Sequence, residues 1–272
     1  MELATSAMNR PRDAYLWRLA ATALSFLLFG LGGLCLRLLV FPLLACLPGS
    51  GEQHRQRARR TIGWLFWRFI LIMRGLGVLT FEISGAERLG RRGQMIIANH
   101  PSLIDVVFLL GRVRDANCVV KHSLFGNPFT RGPVREAQYI GNDGSLDMLD
   151  SAAASLQQGQ PLVIFPEGTR TPPGQAPAFH RGAAAIALRG AKIITPVIIQ
   201  VSPTTLTKHE PWYRIPRRRV HFSLRVGADI DPQAFASLGP APLASRKLND
   251  YLHQYYNKEL ATDERCTTRP EP

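Results

Sequence analysis

The chain has 272 residues, 33 Lys and Arg against 20 Asp and Glu, and a formal net charge of +13. With 46% apolar and 19% charged residues it has ample material for a core, which excludes intrinsic disorder for the chain as a whole and fits one catalytic-sized domain plus an accessory segment. The cationic excess points to an anionic partner, whether nucleic acid, a membrane surface or a phosphorylated substrate, although arginine enrichment also follows from a GC-rich genome. Cys35, Cys46, Cys118 and Cys266 lie far apart with no C-x-x-C pair, which argues against a zinc ribbon, a thioredoxin motif or a disulfide framework and suits an intracellular redox setting.

Residues 19–36 carry no charge, and the apolar character resumes after Arg37 through 38–47, up to the break at Pro48-Gly49-Ser50-Gly51. A bilayer span needs about 20 apolar residues. The segment is long enough, although Arg37 sits inside it and Gly30, Gly32 and Gly33 weaken its centre. A secretory signal peptide fits poorly, because the run is too long and no small-x-small cleavage site follows it. Arg55, Arg57, Arg59 and Arg60 then precede an aromatic and aliphatic stretch with Trp64, Phe66, Trp67 and Phe69, in which Arg68 and Arg74 are interleaved. Aromatic rings beside arginines suit a headgroup interface. Residues 1–77 therefore read as a two-helix membrane-associating motif, one span or re-entrant helix and one interfacial helix; the competing reading is a helix pair packed on a soluble body. Arginines flank the first apolar run on both sides, at Arg10, Arg12 and Arg18 and again from Arg55, so the positive-inside rule gives no clear orientation; both ends on the cytoplasmic face of an inner membrane is the expectation.

From residue 78 short apolar runs are punctuated by Gly and Pro. Residues 78–83, 95–98, 118–120, 162–165, 193–199 and 220–226 read as strands, and 103–110, 145–158, 183–189 and 243–259 as helices. Several strands are too continuously apolar to have a wet face. The pattern predicts an α/β domain over 78–261, a mixed and largely parallel sheet flanked by helices. The polar tail 262–272, with two prolines, reads as disordered.

In such sheets chemistry gathers in the loops that leave the strands. The first of interest is Asn99-His100-Pro101-Ser102-Leu103-Ile104-Asp105. His100 and Asp105 would stand about 140° apart on a continuous helix and could not meet. Pro101 favours a first helical turn and disfavours helix before it, so a turn here can bring the carboxylate to the imidazole. A His so held has one tautomer fixed and its other nitrogen free to take a proton from a hydroxyl, whereas a His and an Asp that merely cap a helix are the plainer alternative. No second ligand at a suitable spacing accompanies His100, so no metal is implied. The second loop is Pro166-Glu167-Gly168-Thr169-Arg170-Thr171. Arg170 offers a fork of donors to an anionic group, Gly168 allows close backbone approach, and Glu167 is placed to orient Arg170 or to meet an acceptor.

These two motifs in this order resemble the glycerolipid acyltransferase family typified by 1-acylglycerol-3-phosphate acyltransferase. The likeness extends to Lys121, to Phe179-His180-Arg181-Gly182 where the family often has Phe-Lys-x-Gly, and to Ile194-Thr195-Pro196-Val197 as a fourth block, and covers about 78–226. It implies an α/β acyltransferase domain behind a two-helix membrane motif. It further implies that His100 is the general base and Asp105 its carboxylate partner, that Glu167, Gly168, Thr169 and Arg170 serve the acceptor, and that Pro196 belongs to the acyl-donor side. Coenzyme A or an acidic acyl-carrier protein would carry the donor acyl group as a thioester, and no cofactor is implied. A carrier protein would meet a basic rim at Lys208, Arg214 and 217–219, which reads equally as a solvated face near anionic headgroups. No G-x-S-x-G elbow occurs, and Ser102 suits a helix start better than a nucleophile.

One departure concerns the acceptor. Where the family's second block usually ends in Arg, this chain has Asn142, and a lost guanidinium contact is worth about 1.5–3 kcal/mol. Either Arg131 or Arg135 substitutes, or the acceptor differs from 1-acylglycerol-3-phosphate. An amino-lipid is one such acceptor. Another is an aryl-polyene-type lipid, since 201–207 and the run 217–219 resemble that specialised branch. A non-catalytic lipid-binding protein is a further alternative, opposed by the intact His100 and Asp105. The basic residues alternate with membrane-type apolar runs and form no recognition module, so nucleic acid is not an expected partner.

Overall fold

The computed structural model describes residues 14–267. Seven strands form one sheet in the order β1-β7-β6-β2-β5-β3-β4: β1 Leu79–Ser84, β2 Gln94–Ala98, β3 Asn117–Lys121, β4 Ile140–Asn142, β5 Leu162–Ile164, β6 Ile193–Ser202 and β7 Val220–Val226. All pairings are parallel except β6 with β7, so the expected mixed, largely parallel sheet is what forms. β2, β5, β3, β4 and β6 thus end on the same edge. β2 is buried at every position, as its unbroken apolar run requires in the centre of a sheet covered on both sides.

The helices are α1 Tyr15–Cys35, α2 Phe41–Ala45, α3 Gly51–Gly75, α4 Asp105–Arg112, α5 Arg131–Glu136, α6 Leu146–Gln157, α7 Gly182–Gly190, α8 Gln233–Ala236 and α9 Ala241–Thr267. α3 and α4 cover one face of the sheet, with Ile62, Ile70, Phe108 and Leu109 packed toward Phe222. α6, α7 and α9 cover the other through Leu156, Ile186, Leu248 and Tyr256. α9 runs on to Thr267, so the tail expected to be disordered from 262 is helical over 262–267; 268–272 lie outside the described residues.

α1, a π-helical stretch at Leu36–Val40 and α2 make one apolar helix of 31 residues, long enough to cross a membrane. Its amphipathicity is inverted. The residues of α1 turned to the body are Arg18, Ala21, Thr22 and Ser25, while Leu24, Leu27, Leu28 and Leu31 face outward. Arg10 and Arg12, expected to flank this run, lie outside the described residues.

α3 also packs on the folded body. Ser50 and Gln53 form a reciprocal capping box that starts it after the Pro-Gly break. Ile62, Ile70 and Met73 then enter the same hydrophobic cluster as β1 and α4, and Trp67 packs edge-on against Phe81. At the α3–α4 crossing Gly63 faces the Leu110 carbonyl, where a Cβ would come within 2.8 Å, and Gly111 faces the Trp67 backbone at 3.0 Å. Only glycines permit that approach. The core therefore runs across residue 77, and α3 is part of the folded body.

Candidate active site

The site is built where β2 and β5 end. Asn99 continues β2 with its side chain: its Nδ2 donates to the Ile199 carbonyl and its Oδ1 accepts from the Ile199 N–H, both at 2.8 Å. The buried amide thus makes the pair of bonds that a backbone would make to β6 and delivers His100 at the strand's last step. Lower down, the buried hydroxyl of Tyr256 donates to the Ile97 carbonyl (2.5 Å) and accepts from Val197 N–H (3.2 Å), tying α9 to both strands.

His100 and Asp105 meet. His100 Nδ1 lies 2.9 Å from Asp105 Oδ2, which also accepts from the Ser102 backbone N–H at 2.7 Å. Asp105 is the first residue of α4, and its carboxylate closes the Pro101 turn that brings it back under the imidazole. Ser102, expected at the helix start, instead lies three residues before α4 as the donor of that turn, and its side chain is fully buried. The imidazole stacks on Phe165 at 4.3 Å between centroids. The His100 side chain keeps 17% exposure while Asp105 has none, so the exposed part of the pair is the ring. Burial pushes the Asp105 carboxyl up; the His100 and Ser102 hydrogen bonds and the charge of Arg170 pull it back.

Glu167 was expected to orient Arg170 or to contact an acceptor. It does not hold Arg170: at 3% exposure it points inward, Oε1 accepts the His100 backbone N–H at 2.8 Å and Oε2 accepts the Thr171 hydroxyl. The Thr171 N–H in turn donates to the His100 carbonyl at 3.1 Å. The β5 loop thereby grips the catalytic-looking loop on both sides of His100. Burial, with the nearby Asp105 charge, raises the Glu167 pKa to about 7 against the opposing hydrogen bonds from His100 and Thr171.

Arg170 is half-buried and its Nη1 is engaged, donating to the carbonyls of Leu206 (2.6 Å) and Thr207 (3.0 Å) in the loop after β6. Gly168, at φ +63°, and Thr169 are exposed at the mouth. A Cβ on Gly168 would lie 3.5 Å from His180 Cδ2 and 3.7 Å from Asn142 Nδ2, so those two side chains flank the motif. Lys121, the last residue of β3, is in register with Asn142 and exposed on the same edge. Arg135 is not brought there. α5 carries the chain back to the start of β4, and its end is held at the Ala137 carbonyl by Arg59 Nε (2.9 Å), near the edge where the strands begin. Pro196 is buried in β6 opposite Ile97, below the loop that carries His100, with its carbonyl accepting from Gly227 N–H. Among the described residues no group of His, Cys, Asp and Glu is arranged to hold a metal ion.

The site is thus a buried carboxylate holding an imidazole at the end of a central parallel strand, gripped by a Glu-Gly-Thr-Arg loop from the neighbouring strand. Residues 80–200 match the family model described as Acyltransferase. The chain is 28% identical over 134 residues to the 1-acyl-sn-glycerol-3-phosphate acyltransferase of Pseudomonas aeruginosa (47% of this chain, 52% of that protein) and 29% identical over 157 residues to the lyso-ornithine lipid O-acyltransferase of the same organism (56% and 57%). The match spans about half the length of the curated relatives. The crystal structure of the 1-acyl-sn-glycerophosphate acyltransferase of Thermotoga maritima shares the fold, with a TM-score of 0.69 at 20% identity over 94% of this chain and 100% of that one.

Proposed function

We propose that the chain is a membrane-associated O-acyltransferase that moves an acyl group from a thioester, on coenzyme A or an acyl-carrier protein, to the hydroxyl of a lysophospholipid-like acceptor. The simplest acceptor is 1-acylglycerol-3-phosphate, giving phosphatidic acid. The observation that carries the reading is the His100–Asp105 pair with its ring partly exposed at the mouth. Asp105 fixes the Nδ1–H tautomer, so Nε2 takes the acceptor's hydroxyl proton as the oxygen attacks the thioester carbonyl. The tetrahedral adduct collapses by breaking the carbon–sulfur bond, and the imidazolium, stabilised by Asp105, returns the proton to the leaving thiolate. No acyl-enzyme intermediate is required. Glu167 acts as a positioning residue through the His100 backbone, while Lys121, Gly168, Thr169 and the remaining donors of Arg170 are left to receive the acceptor. The outward leucines of α1 support residence at a membrane, for which we favour the cytoplasmic face of an inner membrane.

A second reading keeps the chemistry and changes the acceptor to an amino-lipid or an aryl-polyene-type lipid. It is favoured by Asn142 beside Gly168, in place of the Arg that usually ends the second block, and by the relative named for lyso-ornithine lipid. The test is a panel of lysolipids offered to the purified chain with acyl-CoA and with acyl-carrier protein, reading free thiol and acylated product. Release with 1-acylglycerol-3-phosphate supports the first reading; release only with an amino- or polyene-type acceptor transfers support to the second; binding without any turnover overturns both in favour of a lipid-binding protein.

A further inference from the structure

The loop joining β6 to β7, residues 203–219, is long for a connection in such a domain and has no helix or strand of its own. Its base is fixed. Thr205 and Leu206 are buried, and the Leu206 carbonyl accepts from Leu103 N–H at 3.2 Å and from Arg170 at 2.6 Å, so the base is tied to both loops of the site. Its outer part is exposed and carries Trp212 (41%) and Tyr213 (59%), with their rings edge-to-face at 5.7 Å. Around them stand Lys208, Arg214, Arg217, Arg218 and Arg219, all exposed, against one carboxylate, Glu210, which is occupied by Thr207 N–H and hydroxyl.

Two contacts join this loop to α1. The buried guanidinium of Arg18 donates to the carbonyls of Pro216, Arg217 and Arg218 at 3.0, 2.7 and 3.3 Å, and Phe26 lies 5.8 Å from the Trp212 ring. The loop's aromatic tip is thus continuous with the leucine face that α1 turns outward, and the loop rises from the edge of the sheet that carries His100.

We infer that the β6–β7 loop is a second membrane contact, an interfacial finger that docks on an anionic bilayer beside α1. Trp and Tyr settle at the boundary between headgroups and acyl chains, and clustered arginines gain from an anionic surface. Continuity with an apolar helix face favours a lipid surface over an acidic carrier protein, which would meet the arginines but leave the aromatics and the adjoining leucines uncovered. Anchored at both α1 and the finger, the mouth at His100 faces the headgroup layer. The docking does not depend on which lipid is acylated.

The test is amide hydrogen exchange on the intact chain, free in detergent and bound to vesicles. Within 208–219 only Glu210 and Arg214 donate backbone hydrogen bonds among the described residues, so these amides exchange readily when unbound. Vesicles of phosphatidylcholine with phosphatidylglycerol are expected to slow exchange across 208–219, more than phosphatidylcholine alone does. R217Q/R218Q/R219Q is expected to remove that difference while the α1 segment stays protected. Unchanged exchange in 208–219 on vesicles that carry the protein down in a spin overturns the inference. So does protection of the loop by an acyl-carrier protein without vesicles, when vesicles give none.

Discussion

Asp105 Oδ2 receives both His100 Nδ1 and the Ser102 N–H, so one buried oxygen sets the ring's tautomer and closes the turn that places it. Chemistry and local folding depend on the same atom. His100→Ala removes the base and is expected to lower acyl transfer by at least 10²–10⁴-fold with folding and membrane binding retained. Asp105→Asn keeps an acceptor for Ser102 but offers the ring no anion, and a loss in the same range is expected in kcat. Substantial turnover by His100→Ala, measured as thiol release, would show that another group takes the proton.

Asn99 predicts a structural cost. Asn99→Ala leaves the Ile199 N–H and carbonyl unpaired in the sheet interior, where each unsatisfied group costs about 1–3 kcal/mol. The expected fall in stability is about 2–6 kcal/mol, read from the urea midpoint and the unfolding slope. A midpoint equal to that of the parent would mean that β2 and β6 hold their register without this side chain.

Most of the strands and the His100–Asp105 meeting were legible because each rests on a strong local signal: unbroken apolar runs for buried strands, and Pro101 for the turn. β4 was not, since Ile140-Gly141-Asn142 is too short and too exposed to show a pattern. α5 hides behind Gly132 and Pro133, which read as breakers although Pro is tolerated in a first turn. The inward Glu167 was hidden for a different reason. A charge after a buried strand reads as solvent-facing, and only the fold supplies the His100 N–H and the Thr171 hydroxyl that satisfy it. Asn99 stood in the motif, but nothing in its neighbours reveals a partner a hundred positions away.

Glu167 also predicts a pH dependence. Its folded pKa of about 7 lies above the 4.5 of a free glutamate, so the folded chain binds more protons than the unfolded one between those values. This contribution is full below pH 4.5 and is lost as pH rises through 7. The buried Asp105, raised in the same direction, adds to the slope. Glu167→Gln keeps an acceptor for the His100 N–H and removes the titration, so its urea midpoint should decline less from pH 5 to 8 than the parent's. Parallel profiles would place the titrating group elsewhere.

Asn142 tests what the acceptor carries. Its amide is adjacent to Gly168 across the mouth from His180, at the end of a strand paired with the one that ends in Lys121. Asn142→Arg puts a guanidinium into that position at little folding cost, because the residue it replaces is exposed. A charge-assisted contact of about 1.5–3 kcal/mol corresponds to roughly 10-fold to 100-fold in affinity. The variant is therefore expected to raise kcat/KM for 1-acylglycerol-3-phosphate by that factor relative to a lysolipid whose headgroup lacks phosphate. The gain should fall as salt is raised, because the contact is exposed and screened. Equal kcat/KM changes for both acceptors would show that the headgroup does not reach this edge, and the choice between acceptors would then rest with Lys121 and the free edge of Arg170.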